Sequence, residues 1–536
     1  MKKAFFVFTV LCCFLISQDS FSVDKRTKWL LKLAEKKKNG LKLKSSVLDN
    51  PRSAQNMLSH LSQSDFASNR LYEIVSDSRT NKNPLRLETG VGLSKVDTTN
   101  YYLLELKPGY SIGGKTWAFD VGIDAPLRYR TSKIAFRSQD YESFTQILST
   151  LNSSYAYLFN TKSFSVVFNG GFSQINNATL GKGSIMYGYN NSPAYENRKN
   201  GISLDVAYNV SGYLNDNAAS AKLFLSDITS GGIFGLGFEG SPLKVFGGRK
   251  GKLDLPVLKD FNIGVNLASD FNKNAGITKV FYDTDTTGGT TRYYQRGVED
   301  MGAMSLVNLY GEMVLFGQKT FSTYIYGEYS KIVKFGSDAS AGLDLVARTE
   351  DNKNYFSLTF QRRYQQGKYL PTYFNGLYEN DRYQLITNEN NLTPPQLLSK
   401  ASQLDTVQEL KGSVFFSLYG MFMKTFVAYA TYQKIDRGDL GGELYLVASF
   451  PNIDDRFSIY AGYYKRRIQD TGELFTFNEN ATFFGQASYV LSDMIILSLS
   501  YQQTFAAERD ANNNVIGYVA QKRFTPQVNF IWPLGR

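Results

Sequence analysis

The chain has 536 residues, of which 43% are hydrophobic and 20% charged, so it is neither disordered nor fibrous. The formal net charge is +11, from 59 Lys and Arg against 48 Asp and Glu, and aromatic residues make up 15% of the chain. Two adjacent cysteines, Cys12 and Cys13, and one histidine, His60, exclude a disulfide framework, a zinc cluster and a histidine-rich active site.

Residues 1–22 have the pattern of a secretory signal peptide. Met1-Lys2-Lys3 is basic, residues 4–16 are apolar, and Ser20-Phe21-Ser22 supplies small residues before a cleavage site ahead of Val23. The apolar run is too short for a stable transmembrane helix. Lipidation at Cys12 or Cys13 is the alternative, although no small residue precedes either cysteine. Cleavage before Val23 leaves a mature chain without cysteine.

Residues 23–84 form a basic segment with helical periodicity. Ten Lys or Arg and only three acidic residues lie within 24–52, so the rest of the chain is close to neutral and a nucleic-acid partner is not expected. The segment is predicted to be a short, partly helical periplasmic or plug region. Lys36, Lys37 and Lys38 are candidate contacts to a periplasmic or envelope partner, and a solvated tether is the alternative.

From residue 85 to 536 the pattern is that of β-strands. Segments of about ten residues alternate apolar and polar side chains, as in Ile202, Leu204 and Val206 against Ser203 and Asp205. Because side chains alternate faces along a strand, each segment has one apolar and one polar face. No helical crossovers separate most segments, so antiparallel pairing is expected.

The connections between these segments alternate in length. Short connections are predicted at 113–115, 160–162, 317–319, 351–353, 451–455 and 492–493, and long ones at 131–141, 176–200, 273–299, 365–408, 468–480 and 506–514. Residues 240–260 break the rule, because a turn is expected there and the segment is long. This alternation predicts about 16–20 strands with turns at one end and loops at the other.

These features predict an all-β, transmembrane, antiparallel up-and-down β-barrel with a short helical N-terminal segment. Over residues 85–536 the chain resembles the bacterial outer-membrane porin and channel class, which implies the outer membrane of a diderm bacterium and contact with its lipid. Its C-terminal residues depart from that class, since Pro533-Leu534-Gly535-Arg536 follows the aromatic Trp532. A secreted protein of several sandwich domains is the competing interpretation, and it predicts domain linkers with no asymmetry of loop lengths.

The sequence contains no recognisable catalytic centre. Residues 235–240 satisfy the spacing of a dinucleotide-binding loop, but Ser241-Pro242 follows where a helix must begin. The only histidine, His60, lies before the barrel. We therefore expect no enzymatic activity, no cofactor and no metal.

The architecture favours a porin-like channel or transporter for passive or gated passage of small solutes. A fatty-acid-transporter-like barrel for hydrophobic compounds with an N-terminal plug, and a structural or partner-binding barrel, are the alternatives. The phase of the apolar positions directs a set of polar residues into the lumen as candidate pore-lining side chains: Asp205, Asn209, Asn262, Asn266, Asp270, Asp344, Arg348, Gln361, Arg363 and Glu443.

The longest connection, 365–408, is predicted to fold over or into the barrel mouth and narrow it. Its aromatic content argues against disorder, and a loop of this length is usually functional. After Pro394-Pro395, residues 396–410 suit a short amphipathic helix. The candidate constriction residues are Tyr369, Tyr373, Phe374, Tyr378, Leu397 and Leu404.

Overall fold

A computed structural model describes the chain from residue 85 to 534, with gaps. The described residues are 85–96, 99–113, 117–132, 134–161, 164–175, 178–192, 199–210, 217–247, 261–286, 291–318, 320–349, 354–386, 396–406, 412–423, 426–436, 441–453, 456–477, 480–492, 494–509 and 515–534. The predicted signal peptide (1–22), the basic segment (23–84), its Lys36, Lys37 and Lys38, and His60 lie outside these residues.

Strands dominate the described residues, and helices are few and short. The strands are β1 (Leu85–Val96), β2 (Thr99–Gly113), β3 (Trp117–Ile123), β4 (Ala125–Arg130), β5 (Ala135–Phe136), β6 (Leu151–Asn160), β7 (Phe164–Ser173), β8 (Ala178–Leu180), β9 (Met186–Tyr189), β10 (Gly201–Val210), β11 (Asn217–Asp227), β12 (Gly231–Gly240), β13 (Asn262–Asp270), β14 (Ile277–Asp285), β15 (Arg292–Asp300), β16 (Met304–Gly317), β17 (Phe321–Ile332), β18 (Gly336–Arg348), β19 (Tyr355–Gly367), β20 (Gln384–Ile386), β21 (Gln396–Leu398), β22 (Ser413–Phe422), β23 (Phe426–Ile435), β24 (Gly442–Ile453), β25 (Phe457–Ile468), β26 (Ala481–Ser492), β27 (Ile495–Arg509) and β28 (Val515–Leu534). The α-helices are α1 (Phe144–Leu148), α2 (Pro242–Gly247), α3 (Tyr378–Asp381) and α4 (Lys400–Thr406).

The wall is a closed antiparallel barrel of 20 strands. Each wall strand pairs with the wall strand that follows it in the sequence. The barrel closes where β1 pairs with β28, with Leu85 opposite Leu534. The third wall strand is interrupted at Asp124, so β3 and β4 both pair with β2. The prediction of an all-β, up-and-down barrel of the outer-membrane type is confirmed, and the strand number lies at the top of the predicted 16–20.

The two faces of the wall differ in polarity, as the alternating sequence predicts. On the neighbouring strands β13 and β16, Val265 and Leu309 are opposite each other on the outer face, and each is 51% exposed. The next pair in register, Asn266 and Asn308, lies on the inner face, where these residues are 4% and 2% exposed. An apolar outer wall and a polar inner wall match a barrel embedded in lipid. In the described part of the chain, no helix is long and apolar enough to cross a bilayer.

Long connections cluster at one end of the barrel, the loop end, but three connections there are short. Residues 97–98 join β1 to β2, residues 228–230 join β11 to β12, and residues 333–335 join β17 to β18. Between β11 and β12, the Asp227 carboxylate accepts hydrogen bonds from the backbone of Thr229 (2.8 Å) and Ser230 (3.3 Å), which stabilises a tight turn. The anomalous segment at 240–260 lies at the opposite, turn end, where α2 follows β12.

The predicted helix at 396–410 is shorter than expected. Residues Gln396–Leu398 form β21 and pair with β20, so they are not helical. The helix α4 begins at Lys400 because the Ser399 hydroxyl accepts a hydrogen bond from the backbone N–H of Ser402 (2.9 Å) and caps it. Residues 407–410 lie outside the described residues.

Candidate functional site in the lumen

Two connections from the loop end enter the barrel and bond to each other through their backbones. Thr372 donates its N–H to Ser184 O (2.8 Å), Phe374 to Ile185 O (3.2 Å), and Tyr187 to Phe374 O (3.1 Å). One partner is the hairpin of β8 and β9, residues 178–189, which we call the plug hairpin. The other is residues 369–382. Together they form one unit, the loop plug.

Aromatic rings fill the space between the loop plug and the wall. Tyr369, Tyr373, Phe374 and Tyr378 are fully buried in one apolar cluster with plug-hairpin and wall residues. The Phe374 and Tyr378 rings meet edge to face, with centroids 4.8 Å apart. Such ring pairs add to the hydrophobic stabilisation. The lumen near the loop end is therefore packed with side chains.

Of the other two candidate constriction residues, one joins this cluster. Leu404, on α4, is fully buried in it. Leu397, on β21, is partly buried and lies opposite Leu385. An effect of these residues on passage stays a prediction.

Glu328 of β17 anchors the plug hairpin to the wall. Its carboxylate accepts hydrogen bonds from Ser184 Oγ (2.6 Å) of the hairpin, and from Asn308 Nδ2 (2.7 Å) and Gln361 Nε2 (2.6 Å) of the wall. Hydrogen bonds to a charged acceptor are about twice as strong as neutral ones. The buried carboxylate of β17 thus ties one loop residue to residues of two other wall strands, β16 and β19.

Lys182 sits at the tip of the plug hairpin, between β8 and β9. Its ammonium bonds the Glu312 carboxylate and lies 2.6 Å from Asp344 Oδ2. It also lies 4.4 Å from the centre of the Tyr326 ring. The neighbouring Gly181 has φ of 57°, and a Cβ there would crowd the amides of the wall, so glycine permits this close approach.

The depth of Lys182 follows from strand register. Glu312 lies eight residues along β16 from Met304, at the loop end, and is opposite Asn262. That separation is about 26 Å along the strand. The loop plug therefore extends well past the barrel rim.

A second charged cluster holds the 369–382 segment nearer the rim. Arg382 Nε lies 2.7 Å from Asp270 of β13, and the Tyr378 hydroxyl donates to the same carboxylate at 2.9 Å. Arg382 also bonds Glu379 (2.7 Å), which pairs with Lys199 (2.6 Å). Burial lowers the pKa of Arg382, but the carboxylates of Glu379 and Asp270 outweigh it and raise that pKa, so the guanidinium stays charged.

Six of the ten candidate pore-lining residues contact the loop plug or the side chains that hold it. Their contacts are as follows: Asn266 with Asn308, Asp270 with Arg382, Asp344 with Lys182, Gln361 with Glu328, Arg363 with Gln433, and Glu443 with Asn375. These side chains therefore form the seat of the loop plug as well as the wall of a lumen.

The remaining four candidates are placed by strand register or by a contact at the turn end. Asp205 is opposite Lys222 in register, and Asn262 accepts from the Ser241 hydroxyl at the turn end. Arg348 ends β18 at the turn end. Asn209 belongs to β10, and its side chain is outside those the structure describes. A selective role for any of the ten stays a prediction.

Several site residues are absent from the sequence-based set, namely Lys182, Arg382, Glu312, Tyr326 and Glu328. The strand phase could have found Glu312 and Glu328, because both share a face with inward-directed neighbours. Lys182 and Arg382 lie on connections, where no periodicity marks direction. In the described part of the chain no group of His, Cys, Asp and Glu side chains is arranged to hold a metal ion.

Of the comparisons with known proteins, only the one with solved structures finds similar proteins. No protein-family profile and no curated protein matches the sequence. A mutant of the ferric enterobactin receptor of Pseudomonas aeruginosa, in complex with enterobactin, aligns at 9% identity and a TM-score of 0.35, over 84% of this chain and 82% of that one. The ferric-catecholate import receptor Fiu of E. coli aligns at 9% identity and a TM-score of 0.37, over 84% of this chain and 82% of that one. OccK11 (OpdR) of Pseudomonas aeruginosa aligns at 10% identity and a TM-score of 0.31, over 84% of this chain and 96% of that one.

Proposed function

We propose that this protein is an outer-membrane channel or transporter whose own loops gate the passage of small solutes. The observation that carries the proposal is the loop plug, which enters a closed 20-strand barrel from one end. A barrel of this strand number is wide enough for an aqueous lumen. A lumen filled by connections that are held by hydrogen bonds and ion pairs suits a gate better than a permanently packed core.

The polar inner wall favours hydrated solutes over hydrophobic compounds. Asn266, Asn308, Glu328 and Gln361 are buried on that face and bond to one another or to the plug. An apolar molecule that passes these groups offers no hydrogen bonds to replace those that the groups make with water or with the plug. Passage of small polar solutes, without a catalytic step, is therefore the function that we propose.

The test is to shorten the plug hairpin and measure passage. Residues 178–189 are replaced by a four-residue Gly-Ser linker, and the protein is reconstituted in planar bilayers and liposomes. We expect conductance to rise at least about threefold and larger sugars to enter, because the part of the lumen that the hairpin fills is opened and its width is set by strand number.

The matched control removes the same number of residues from the hairpin of β14 and β15, within 280–298, whose side chains are mostly exposed. That variant should conduct like the unmodified protein. The proposal fails if the plug-hairpin variant, inserted normally, produces no current steps and no solute entry.

A further inference from the structure

Lys182 occupies a pocket on the inner wall formed by Glu312, Asp344 and the ring of Tyr326, which we call the ammonium pocket. We propose that this pocket binds the primary ammonium group of a cationic organic solute, and that Lys182 fills it while the loop plug is closed. The inference rests on the proposed function, since the ligand enters the pocket only when the tip of the plug hairpin moves out of it.

Tyr326 supplies an observation independent of the two carboxylates. Its side chain is 4% exposed, and its hydroxyl has no hydrogen-bond partner among the described residues. The ring lies across Gly342, two residues before Asp344 on β18, where a Cβ would overlap it. A tyrosine face close to an ammonium is the geometry of cation–π recognition. The free hydroxyl in the same place offers a hydrogen bond to a polar group beside the ligand's amine.

The charge of the pocket fixes the class of its ligand. The side chains of Glu312 and Asp344 are only 5% and 14% exposed. Breaking these two buried ion pairs without replacing the ammonium is strongly destabilising. Whatever displaces Lys182 must therefore carry a positive charge itself.

Lys182 is not needed to attach the plug hairpin. Ser184 already bonds Glu328, and the backbone bonds to Thr372 and Phe374 hold the hairpin to the second plug segment. The Lys182 ammonium therefore neutralises the pocket as a bound ammonium ligand would. Its replacement by such a ligand would release only the tip of the hairpin.

Tyrosines continue from the pocket along the inner wall. Tyr324 is opposite Asp344 in register. Further along, the rings of Tyr355 and Tyr419 lie 5.7 Å apart, and those of Tyr429 and Tyr445 lie 6.1 Å apart. Aromatic faces with polar tips suit the carbon skeleton of an organic cation better than that of a bare metal ion.

The experiment measures equilibrium binding of n-butylammonium chloride to the purified full-length protein in detergent by calorimetry, with 1-butanol as the neutral probe. Lys182→Met vacates the pocket, and we expect it to bind butylammonium at least about tenfold more tightly than the unmodified protein, which must first displace its own tethered lysine. Butanol should not distinguish the two. Adding Asp344→Asn to Lys182→Met should abolish the gain, and adding Tyr326→Leu should weaken binding about fivefold.

Lys279→Met is the matched control, because Lys279 pairs with Glu299 on the exposed β14–β15 hairpin; its butylammonium affinity should equal that of the unmodified protein. Lys182→Gln serves if Lys182→Met does not fold. Equal affinity of the Lys182 variant and the unmodified protein, or a gain that Asp344→Asn leaves intact, overturns the inference. The measurement involves no flux, so a protein that binds butylammonium yet fails to conduct would contradict the proposed function and leave the pocket standing.

Discussion

Several glycines of the wall lie under aromatic rings from the neighbouring strand. A Cβ at Gly264 would overlap the ring of Tyr310, and one at Gly462 would overlap the ring of Phe484. The same relation joins Gly342 to Tyr326 in the ammonium pocket. The absence of a side chain at these positions lets the large ring lie flat along the wall. Packing between neighbouring strands therefore explains why glycine is required there.

This packing predicts that Gly264→Ala destabilises the barrel. The added methyl group must push the Tyr310 ring aside, and overpacking of this kind costs about 1–3 kcal/mol. Urea unfolding in detergent, followed by circular dichroism, measures the change. Gly327→Ala is the control, because its nearest neighbour is Ser340 O at 4.0 Å, and we expect a change within about 0.5 kcal/mol. Equal effects of the two substitutions would contradict the packing argument.

At the scale of elements, α4 supports the loop plug from the rim. Ala401 and Leu404 are fully buried in the aromatic cluster, and Ser399 Oγ donates to Ile277 O (2.9 Å) at the start of the β14–β15 hairpin. The rings themselves belong to residues 369–378, outside the helix. The helix α4 thus packs against the loop plug and stabilises it, and the side chains that fill the lumen belong to residues 369–378.

Removing residues 385–404 should therefore loosen the plug without emptying the lumen. We expect uptake of larger solutes to rise, by less than when the plug hairpin is shortened, because Tyr369 and Tyr373 keep their places while losing apolar contacts. Liposome swelling with sugars of graded size measures the exclusion limit. An unchanged limit in a normally inserted barrel would show that the segment only caps the exterior.

For the whole molecule, the apolar outer wall suits a lipid environment. Leu309 and Val265 belong to a face whose large side chains point away from the lumen. In lipid these side chains would be solvated by acyl chains, and the pairing of β1 with β28 closes the wall. The opposite face of β13 and β16 carries the buried polar side chains of Asn266 and Asn308.

A single charge on this face should therefore oppose insertion. Leu309→Arg is expected to lower the stability of the barrel in lipid vesicles by about 2–4 kcal/mol, the cost of arginine on the lipid face near mid-bilayer. The control is Val298→Arg, on the exposed β14–β15 hairpin outside the wall, for which we expect no effect. Vesicle refolding assays measure both. Equal insertion of the two variants would favour a barrel that does not face lipid.

The sequence by itself determined the barrel, because a strand repeats its side-chain direction every two residues and that period can be read directly. It also placed Asn266, Asp344, Gln361 and Glu443 on the inner face for the same reason. Only the tertiary structure decided what those residues meet. Lys182 and Arg382 lie on connections without periodicity, and their partners are carboxylates of strands far away in sequence, so their roles arise only when the loops fold back into the closed wall.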